Sequence, residues 1–202
     1  MTIKATTLKK LVIASGNHGK VAEFREYLAD LGFELLPKPD ELDVEETGET
    51  FLANAHLKAS QVAIATGEWA LADDSGLEVM ALGGAPGVFS ARYGSSDRDR
   101  INRILQELDD NPNREAQFVC AIAVATPDGN IIAEAIGVCK GEILHVPQGD
   151  NGFGYDPIFF VPEQGKSFGE MPSYIKAQIS HRAIALNILR PKLKDLQLAI
   201  QH

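Results

Sequence analysis

Leu11-Val12-Ile13-Ala14-Ser15-Gly16-Asn17-His18-Gly19-Lys20 is the stretch that decides the fold class of this 202-residue chain. Its first four residues form an uninterrupted apolar run, which is typical of a strand buried on both faces. Asn17 suits a helix N-cap, and apolar residues recur every three or four positions from Val21 to Leu31, before a helix-ending Gly32. The order of strand, tight turn and helix predicts an α/β protein. It would also point free backbone N–H groups at an anion.

The rest of the chain alternates between helical and strand-like segments. Apolar spacing predicts helices over residues 51–66, 97–108 and from 173 onward, where Pro191 starts or kinks a second part. Residues 117–126 and 130–140 flank the turn signal Pro127-Asp128-Gly129, which indicates an antiparallel hairpin. Short strands are expected at 69–72 and within 152–161. Because nothing reads as a linker, we expect a mixed β-sheet flanked by helices in a single domain over residues 1–202.

Charge and composition restrict the partners of the chain. It carries 19 Lys and Arg against 28 Asp and Glu, a formal net charge of −9, and 45% of its residues are hydrophobic. Such an acidic globular protein lacks the basic surface that nucleic-acid polymers need, so we expect no such partner. No apolar run approaches the ~20 residues of a membrane span, and two cysteines without a secretion signal favour reduced thiols. These features predict a cytoplasmic protein with no membrane partner.

The turn over residues 15–20 resembles a phosphate-binding loop without matching the Walker pattern. That pattern places four residues between its first glycine and the Gly-Lys pair, and Ser or Thr follows the lysine. Here two residues separate Gly16 from Gly19-Lys20, and Val21 follows. A P-loop NTPase is therefore not expected. Two interpretations remain open: an anion-binding turn with a lysine cation, or a capped turn whose lysine is solvated.

Acidic side chains form the second candidate site. Glu45 and Glu46 belong to an acidic run over residues 40–49, and Asp73-Asp74 follows the short strand at 69–72. Adjacent carboxylates repel each other unless a cation compensates them, and Mg²⁺ favours such oxygen ligands while sharing substrate phosphates. A carboxylate that the metal does not fully use could deprotonate a water molecule. The alternative for the acidic run is a solvated loop.

Two later segments could bind a nucleoside. Gly152-Phe153-Gly154-Tyr155-Asp156-Pro157 places aromatic residues between glycines, where they could stack on a base or simply pack in a turn. Ser180-His181-Arg182 lies on a predicted helix, with Lys176 about one turn earlier. Neighbouring helical residues point about 100° apart, and the chain contains no Gly-x-Ser-x-Gly elbow. A serine hydrolase is therefore not expected.

Taken in order, these segments resemble the inosine triphosphatase family, the non-canonical purine nucleoside triphosphate pyrophosphatases. The resemblance extends from Leu11 to about Leu189. The matching stretches are Ser15 to Lys20, Glu45-Glu46-Thr47-Gly48, the segment 51–58 with Asn54 and Lys58, Ala72-Asp73-Asp74-Ser75-Gly76-Leu77, Gly83-Gly84-Ala85-Pro86-Gly87, Gly152 to Pro157 and Ile179-Ser180-His181-Arg182.

The resemblance implies an elongated mixed sheet with two lobes around a central cleft, in a homodimer. It implies Mg²⁺-dependent hydrolysis of ITP, dITP and XTP to the nucleoside monophosphate and pyrophosphate, with Asp74 as general base. Metal ligation would fall to Asp74 together with Glu45 or Glu46. Phe153 would stack on the base. The full set of substrate-binding residues would be Ser15, Gly16, Asn17, His18, Gly19, Lys20, Lys58, Ser75, Phe153, Gly154, Tyr155, Asp156, Lys176, His181 and Arg182.

Two other functions stay open at this point. A related pyrophosphatase could act on other nucleotides, such as modified pyrimidines. A catalytically silent module could bind nucleotides without hydrolysing them, although Asp73, Asp74 and the paired glutamates argue against it. For the first function, selection of purines with a 6-oxo group is a hydrogen-bonding problem. A buried donor such as Arg182 would be left unpaired by adenine.

Overall fold

The computed structural model describes residues 9–198, which form a seven-stranded sheet with helices on both faces. The strands are β1 (Lys9–Ile13), β2 (Phe33–Pro37), β3 (Trp69–Val79), β4 (Glu115–Ala125), β5 (Ile131–Ile143), β6 (Phe159–Val161) and β7 (Lys166–Ser167). The α-helices are α1 (His18–Leu28), α2 (Phe51–Thr66), α3 (Asp97–Leu108), α4 (Ser173–Ile179) and α5 (His181–Leu198). The predicted α/β class, with a mixed sheet flanked by helices, is confirmed.

The sheet has a parallel end and an antiparallel end, in the order β2-β1-β3-β4-β5-β6-β7. β1 pairs in parallel with β2 and β3, and every pair from β3 to β7 is antiparallel. The predicted hairpin is formed by β4 and β5. Its turn closes through the Thr126 N–H, which donates to the Asn130 carbonyl at 3.0 Å. Gly129 has a φ of 83°, which other residues rarely adopt.

β3 is longer than the strand expected at 69–72, and this difference positions the cleft. Pairing with β4 continues as far as Val79, so Asp73 and Asp74 lie inside β3 instead of after it. The parallel neighbour β1 ends at Ile13, opposite Leu71. Beyond Leu71, β3 therefore has no strand on its β1 side among the described residues. The two aspartates lie next to this gap, at the carboxyl end of β1, where the turn 15–20 begins. Ligands of α/β sheets commonly bind at such carboxyl ends.

The C-terminal half differs in two further details. The helical segment breaks at Ser180, which has an extended backbone and accepts a hydrogen bond from the Ala183 N–H at 3.2 Å. Ser180 thus separates α4 from α5, whereas Pro191 lies inside α5. The segment 152–161 is turn and short 3₁₀ helix, with strand structure only in β6.

The core consists of three apolar clusters. On one face of the sheet, α1 and α5 cover a cluster that includes Phe24 and Leu189. On the other face, α2 contributes Ala55 and Ala59, whose small side chains bring the helix close to the strands. A third cluster lies towards the antiparallel end, with helix α3. The single domain over residues 1–202 stays a prediction, since residues 1–8 and 199–202 lie outside the described part. The division into two lobes also stays a prediction.

The thiols and the helices bear on two expectations, reduced cysteines and the absence of a membrane-spanning segment. Cys120 and Cys139 are both free and buried. Within residues 9–198, no helix has the length and apolar character required to cross a membrane.

Candidate active site

The turn before α1 is shaped by its own side chains. Asn17 caps the helix, because its Oδ1 accepts a hydrogen bond from the Lys20 N–H at 3.1 Å. The Ser15 hydroxyl accepts from the Asn17 N–H at 3.2 Å. Ser15, Gly16, Asn17 and Lys20 line a cavity of about 320 Å³. The predicted N-cap is confirmed, and the capped turn also faces open space in which an anion could bind.

The side chains of Asp73 and Asp74 lie on opposite faces of the sheet, because successive side chains of a strand point to alternate faces. The carboxylate of Asp73 lies 3.0 Å from the Lys20 ammonium and 3.0 Å from the Arg182 guanidinium, on the face covered by α1 and α5. Asp74 lies 3.2 Å from Lys58 on α2. Each aspartate therefore has its own cations. This arrangement relieves the repulsion expected between adjacent carboxylates.

The two aspartates also differ in acidity. Burial would raise the pKa of Asp73, but the nearby Lys20 and Arg182 cations outweigh burial and hold it well below its usual range. Burial raises the pKa of Asp74, and Lys58 only partly opposes that rise. Asp74 is therefore the more basic of the two carboxylates, as suits a group that accepts a proton.

Glu46, and not Glu45, lies beside Asp74. Glu46 Oε1 is 2.6 Å from the Lys58 ammonium, which also contacts Asp74, whereas Glu45 is exposed and does not line the cavity. Burial would lower the pKa of Lys58, but Asp74, Asp73 and Glu46 together raise it. The partly buried Lys58 ammonium already lies between these two carboxylates, so the pair attracts positive charge.

This donor set fits Mg²⁺ better than a metal that needs an all-protein cage. Residues 9–198 contain no group of three or more His, Cys, Asp or Glu side chains suited to hold a metal ion. Mg²⁺ commonly binds one or two carboxylates and keeps several waters or substrate phosphates. Glu46 and Asp74 are the residues that could hold it.

At the other end of the cavity, a loop and two helices bring together Phe153, Asp156 and Lys176. Asp156 Oδ2 accepts hydrogen bonds from the Phe153 N–H at 2.8 Å and from the Lys176 ammonium at 2.6 Å. The same ammonium lies 4.8 Å from the centre of the Phe153 ring. Asp156 therefore fixes both the loop and the lysine. The Phe153 ring faces the cavity as an aromatic platform.

His181 and Tyr155 are more deeply embedded than their neighbours. The His181 ring stacks on Phe118 with ring centres 4.7 Å apart and planes inclined by 13°. Burial, with the Arg182 and Lys176 cations, lowers the pKa of His181 well below 6.5, so its imidazole is neutral at pH 7. The Tyr155 hydroxyl donates to the Ser90 carbonyl at 2.8 Å.

The cavity collects most of the residues selected from the sequence. Those that line it are Ser15, Gly16, Asn17, Lys20, Glu46, Lys58, Asp74, Ser75, Phe153, Gly154, Tyr155, Asp156, Lys176, His181 and Arg182. His18, Gly19 and Glu45 do not line it, and substrate or metal binding by them stays a prediction. His18 and Glu45 are exposed. Gly19 instead lies beneath the Phe153 ring, where a Cβ atom would come within 2.7 Å of it.

Three residues outside the predicted set of site residues organise the site: Asn54, which belongs to a matching motif but has no predicted role, and Glu23 and Asp97, which the motifs do not include. Asn54 is fully buried, and its amide donates to Asp74 at 3.1 Å and accepts from the Gly48 N–H at 2.7 Å. Glu23 contacts Lys176 and Arg182, and Asp97 accepts from the Gly154 N–H at 2.8 Å. Asn54 and Lys58 lie four apart on one helix, and this spacing brings both side chains to Asp74.

Comparison with known proteins now decides the family. The model of the Ham1 family matches residues 11–192. The chain belongs to the Ham1 family. A protein named dITP/XTP pyrophosphatase from Nostoc sp. is 57% identical to this Ham1-family chain over 185 residues, which cover 92% of this chain and 94% of the relative. A protein of the same name from Synechocystis sp. is 56% identical over 179 residues, 89% of this chain and 92% of the relative.

Solved structures agree with this assignment. A HAM1 protein from Coxiella burnetii superposes on this Ham1-family chain with a TM-score of 0.85 at 43% identity, covering 93% of this chain and all of the other. A nucleoside-triphosphatase / dITP/XTP pyrophosphatase from Mycobacterium abscessus gives a TM-score of 0.72 at 40% identity, covering 90% of this chain and 99% of the other. The family resemblance read from the sequence motifs is therefore confirmed.

Proposed function

We propose that this Ham1-family protein hydrolyses the non-canonical purine nucleoside triphosphates ITP, dITP and XTP to the nucleoside monophosphate and pyrophosphate. The observation that carries the proposal is a single cavity whose two ends are lined by different kinds of side chain. Lys20, Lys58 and the capped turn at 15–20 suit a triphosphate, and the Phe153 loop with Lys176 suits a nucleoside. The relatives named dITP/XTP pyrophosphatase support the same activity.

Asp74 is the proposed general base. Water attacks the α-phosphorus, the bond to the bridging oxygen breaks, pyrophosphate leaves, and the proton of the water passes to the Asp74 carboxylate. Asn54 holds one oxygen of Asp74, and Lys58 lies 3.2 Å from the other. When bound by Glu46 and Asp74, Mg²⁺ would neutralise phosphate charge and make the water more acidic. Lys20 and Lys58 would stabilise the charge that develops on the leaving pyrophosphate.

Donors at the nucleoside end would select against adenine. Hypoxanthine and xanthine present a 6-oxo acceptor, whereas adenine presents a donor at that position. Lys176 and Arg182 line the cavity and only donate hydrogen bonds. A donor facing a donor stays unpaired, and sites built on such pairing reject the wrong ligand by about 10⁴–10⁵-fold in favourable cases.

The proposal extends to assembly and location. The family resemblance supports a homodimer, which sedimentation or light scattering would detect as twice the 21.9 kDa of one chain. Free, buried Cys120 and Cys139 fit a compartment that keeps thiols reduced, such as the cytoplasm. The net charge of −9 fits a small nucleotide as partner better than a nucleic-acid polymer.

One assay tests the function. The purified protein is incubated with Mg²⁺ and each of ITP, XTP, dITP, GTP and ATP, and pyrophosphate is separated from orthophosphate. We expect pyrophosphate from the first three at rates far above those for ATP and GTP. Equal rates for all five, or orthophosphate as the product, would contradict the proposal.

A further inference from the structure

A continuous line of ion pairs runs behind the cavity from its triphosphate end to its nucleoside end. Lys20 contacts Asp73 at 3.0 Å, and Asp73 contacts Arg182 at 3.0 Å. Arg182 pairs through its other terminal nitrogen with Glu23, and Glu23 contacts Lys176 at 3.1 Å. Charges alternate along the whole line, so each cation lies between or beside carboxylates.

The cations of this line face the cavity, whereas Asp73 and Glu23 do not. Lys20, Lys176 and Arg182 line the cavity, and neither carboxylate does. The Asp73 side chain is fully buried and that of Glu23 is 19% exposed. These two acids therefore do not line the space a ligand would occupy, and they influence its orientation through the cavity-lining side chains that they hold.

Arg182 is held from two sides. Glu23 accepts a hydrogen bond from Nη1 of Arg182, while Nη2 donates both to Asp73 and to the Ser75 hydroxyl, each at 3.0 Å. The Ser75 hydroxyl in turn donates to the same Asp73 oxygen at 3.0 Å. An arginine gripped at both terminal nitrogens keeps one orientation, and a fixed donor discriminates between bases better than a mobile one.

We propose that Asp73 and Glu23 are positioning residues that hold Arg182 from opposite sides, so that its orientation sets the preference for 6-oxo purines. The inference rests on the proposed function for the identity of the ligand. The line of ion pairs also ties Arg182 to Lys20, so the nucleoside end and the triphosphate end are built as one unit.

The test compares two ligands of equal charge, IMP and AMP, by calorimetric titration of the wild-type protein, Asp73→Asn and Glu23→Gln. Loss of a carboxylate strengthens the binding of any anion, and local damage weakens both ligands, so neither effect changes the ratio of their affinities. Loss of Arg182 orientation does change it. We expect the preference for IMP over AMP to fall about tenfold or more in each variant.

Ile122→Val is the matched control, because Ile122 is buried directly opposite Asp73 on β4 and its uncharged side chain is not a member of the line of ion pairs. It should lower the unfolding temperature slightly and keep the wild-type ratio. Glu23→Gln keeps the inference testable if Asp73→Asn does not fold, because Glu23 is partly exposed and glutamine has its shape.

Three outcomes separate the explanations. A preference for IMP that stays within about twofold of wild type in folded Glu23→Gln would overturn the inference. A wild-type protein that binds IMP and AMP equally would overturn it as well. A wild-type protein that prefers IMP but releases no pyrophosphate from ITP would overturn the proposed function alone, and the ratio in the variants would still decide the inference.

Discussion

A methyl group at Gly19 should displace the aromatic ring that is proposed to hold the base. A Cβ atom built at Gly19 lies 2.7 Å from Cδ1 and 2.9 Å from Cε1 of Phe153. Carbon atoms pack at about 3.5–4.0 Å, so the ring must move by roughly 1 Å. Gly19 lies in the first turn of α1, where alanine favours the helix by up to about 1 kcal/mol over glycine. We therefore expect Gly19→Ala to keep or raise the free energy of unfolding. The value of kcat/KM for ITP should fall about ten- to a hundredfold, because a 1 Å misplacement can have that effect.

The assay is pyrophosphate release from ITP, run beside urea unfolding, in a double-mutant cycle with Phe153→Ala. Once the ring is gone, the added methyl group has nothing to displace. Adding Gly19→Ala to Phe153→Ala should therefore change kcat/KM by less than about twofold. Glu26→Ala, at an exposed position of the same helix, controls for the change in helix propensity. If Gly19→Ala lowers kcat/KM by the same factor with and without the ring, the collision is not the cause and the reasoning is refuted.

Three further predictions concern the base, the buried imidazole and the buried amide. Asp74→Asn should reduce turnover of ITP by about 10²–10⁴-fold while the Kd for ITP with Mg²⁺ changes little, and a variant with near-full turnover would remove Asp74 as the base. His181 has a pKa well below 6.5 when folded, so the unfolded chain binds the extra proton and stability falls as the pH drops through about 6.5. At pH 5.5, urea unfolding should show a loss of up to about 1.4 kcal/mol in the free energy of unfolding. His181→Gln should remove this loss, whereas His145→Gln, at an exposed position, should not. If the free energy of unfolding of His181→Gln changes with pH as in the wild type, the prediction is contradicted. Asn54→Ala deprives Asp74 and the Gly48 N–H of a partner and should cost about 1–3 kcal/mol in urea unfolding and slow turnover, whereas a neutral effect on both would show that the bonds do not matter.

Sequence reasoning predicted the segments whose structure depends on near neighbours. The Asn17 cap and the turn at Gly129 depend on side chains and backbone preferences within four residues, so the local sequence predicts both. The local sequence also identifies the turn at 15–20 as a candidate binding segment. Which of its side chains face the cleft depends on the residue at which α1 begins. Because α1 begins at His18, Lys20 faces the cleft while His18 faces solvent.

Long-range pairing decides what the sequence could not predict. The short strand expected at 69–72 places Asp73 and Asp74 at its end, where adjacent carboxylates need a compensating cation. The extension of β3 along β4 instead assigns them to opposite faces. The choice of Glu46 over Glu45 depends on the approach of Lys58 from α2, and no periodic pattern in the acidic run indicates it. Glu23 was missed for the same reason, because its partners Lys176 and Arg182 are more than 150 residues away in the chain.

The acidity of the chain is consistent with a triphosphate ligand once the charges are located. Among ion pairs at 3.2 Å or closer around the cavity, four cations, Lys20, Lys58, Lys176 and Arg182, face five carboxylates, those of Glu23, Glu46, Asp73, Asp74 and Asp156. The cluster is therefore close to balanced, with one negative charge in excess, although the chain as a whole carries −9. A triphosphate brings several further negative charges, which four occupied cations cannot neutralise alone. A divalent cation held by Glu46 and Asp74 would offset that excess negative charge, and it would compete with Lys58 for the same carboxylate oxygens. Binding of the triphosphate should therefore depend on Mg²⁺ even in variants that do not hydrolyse it.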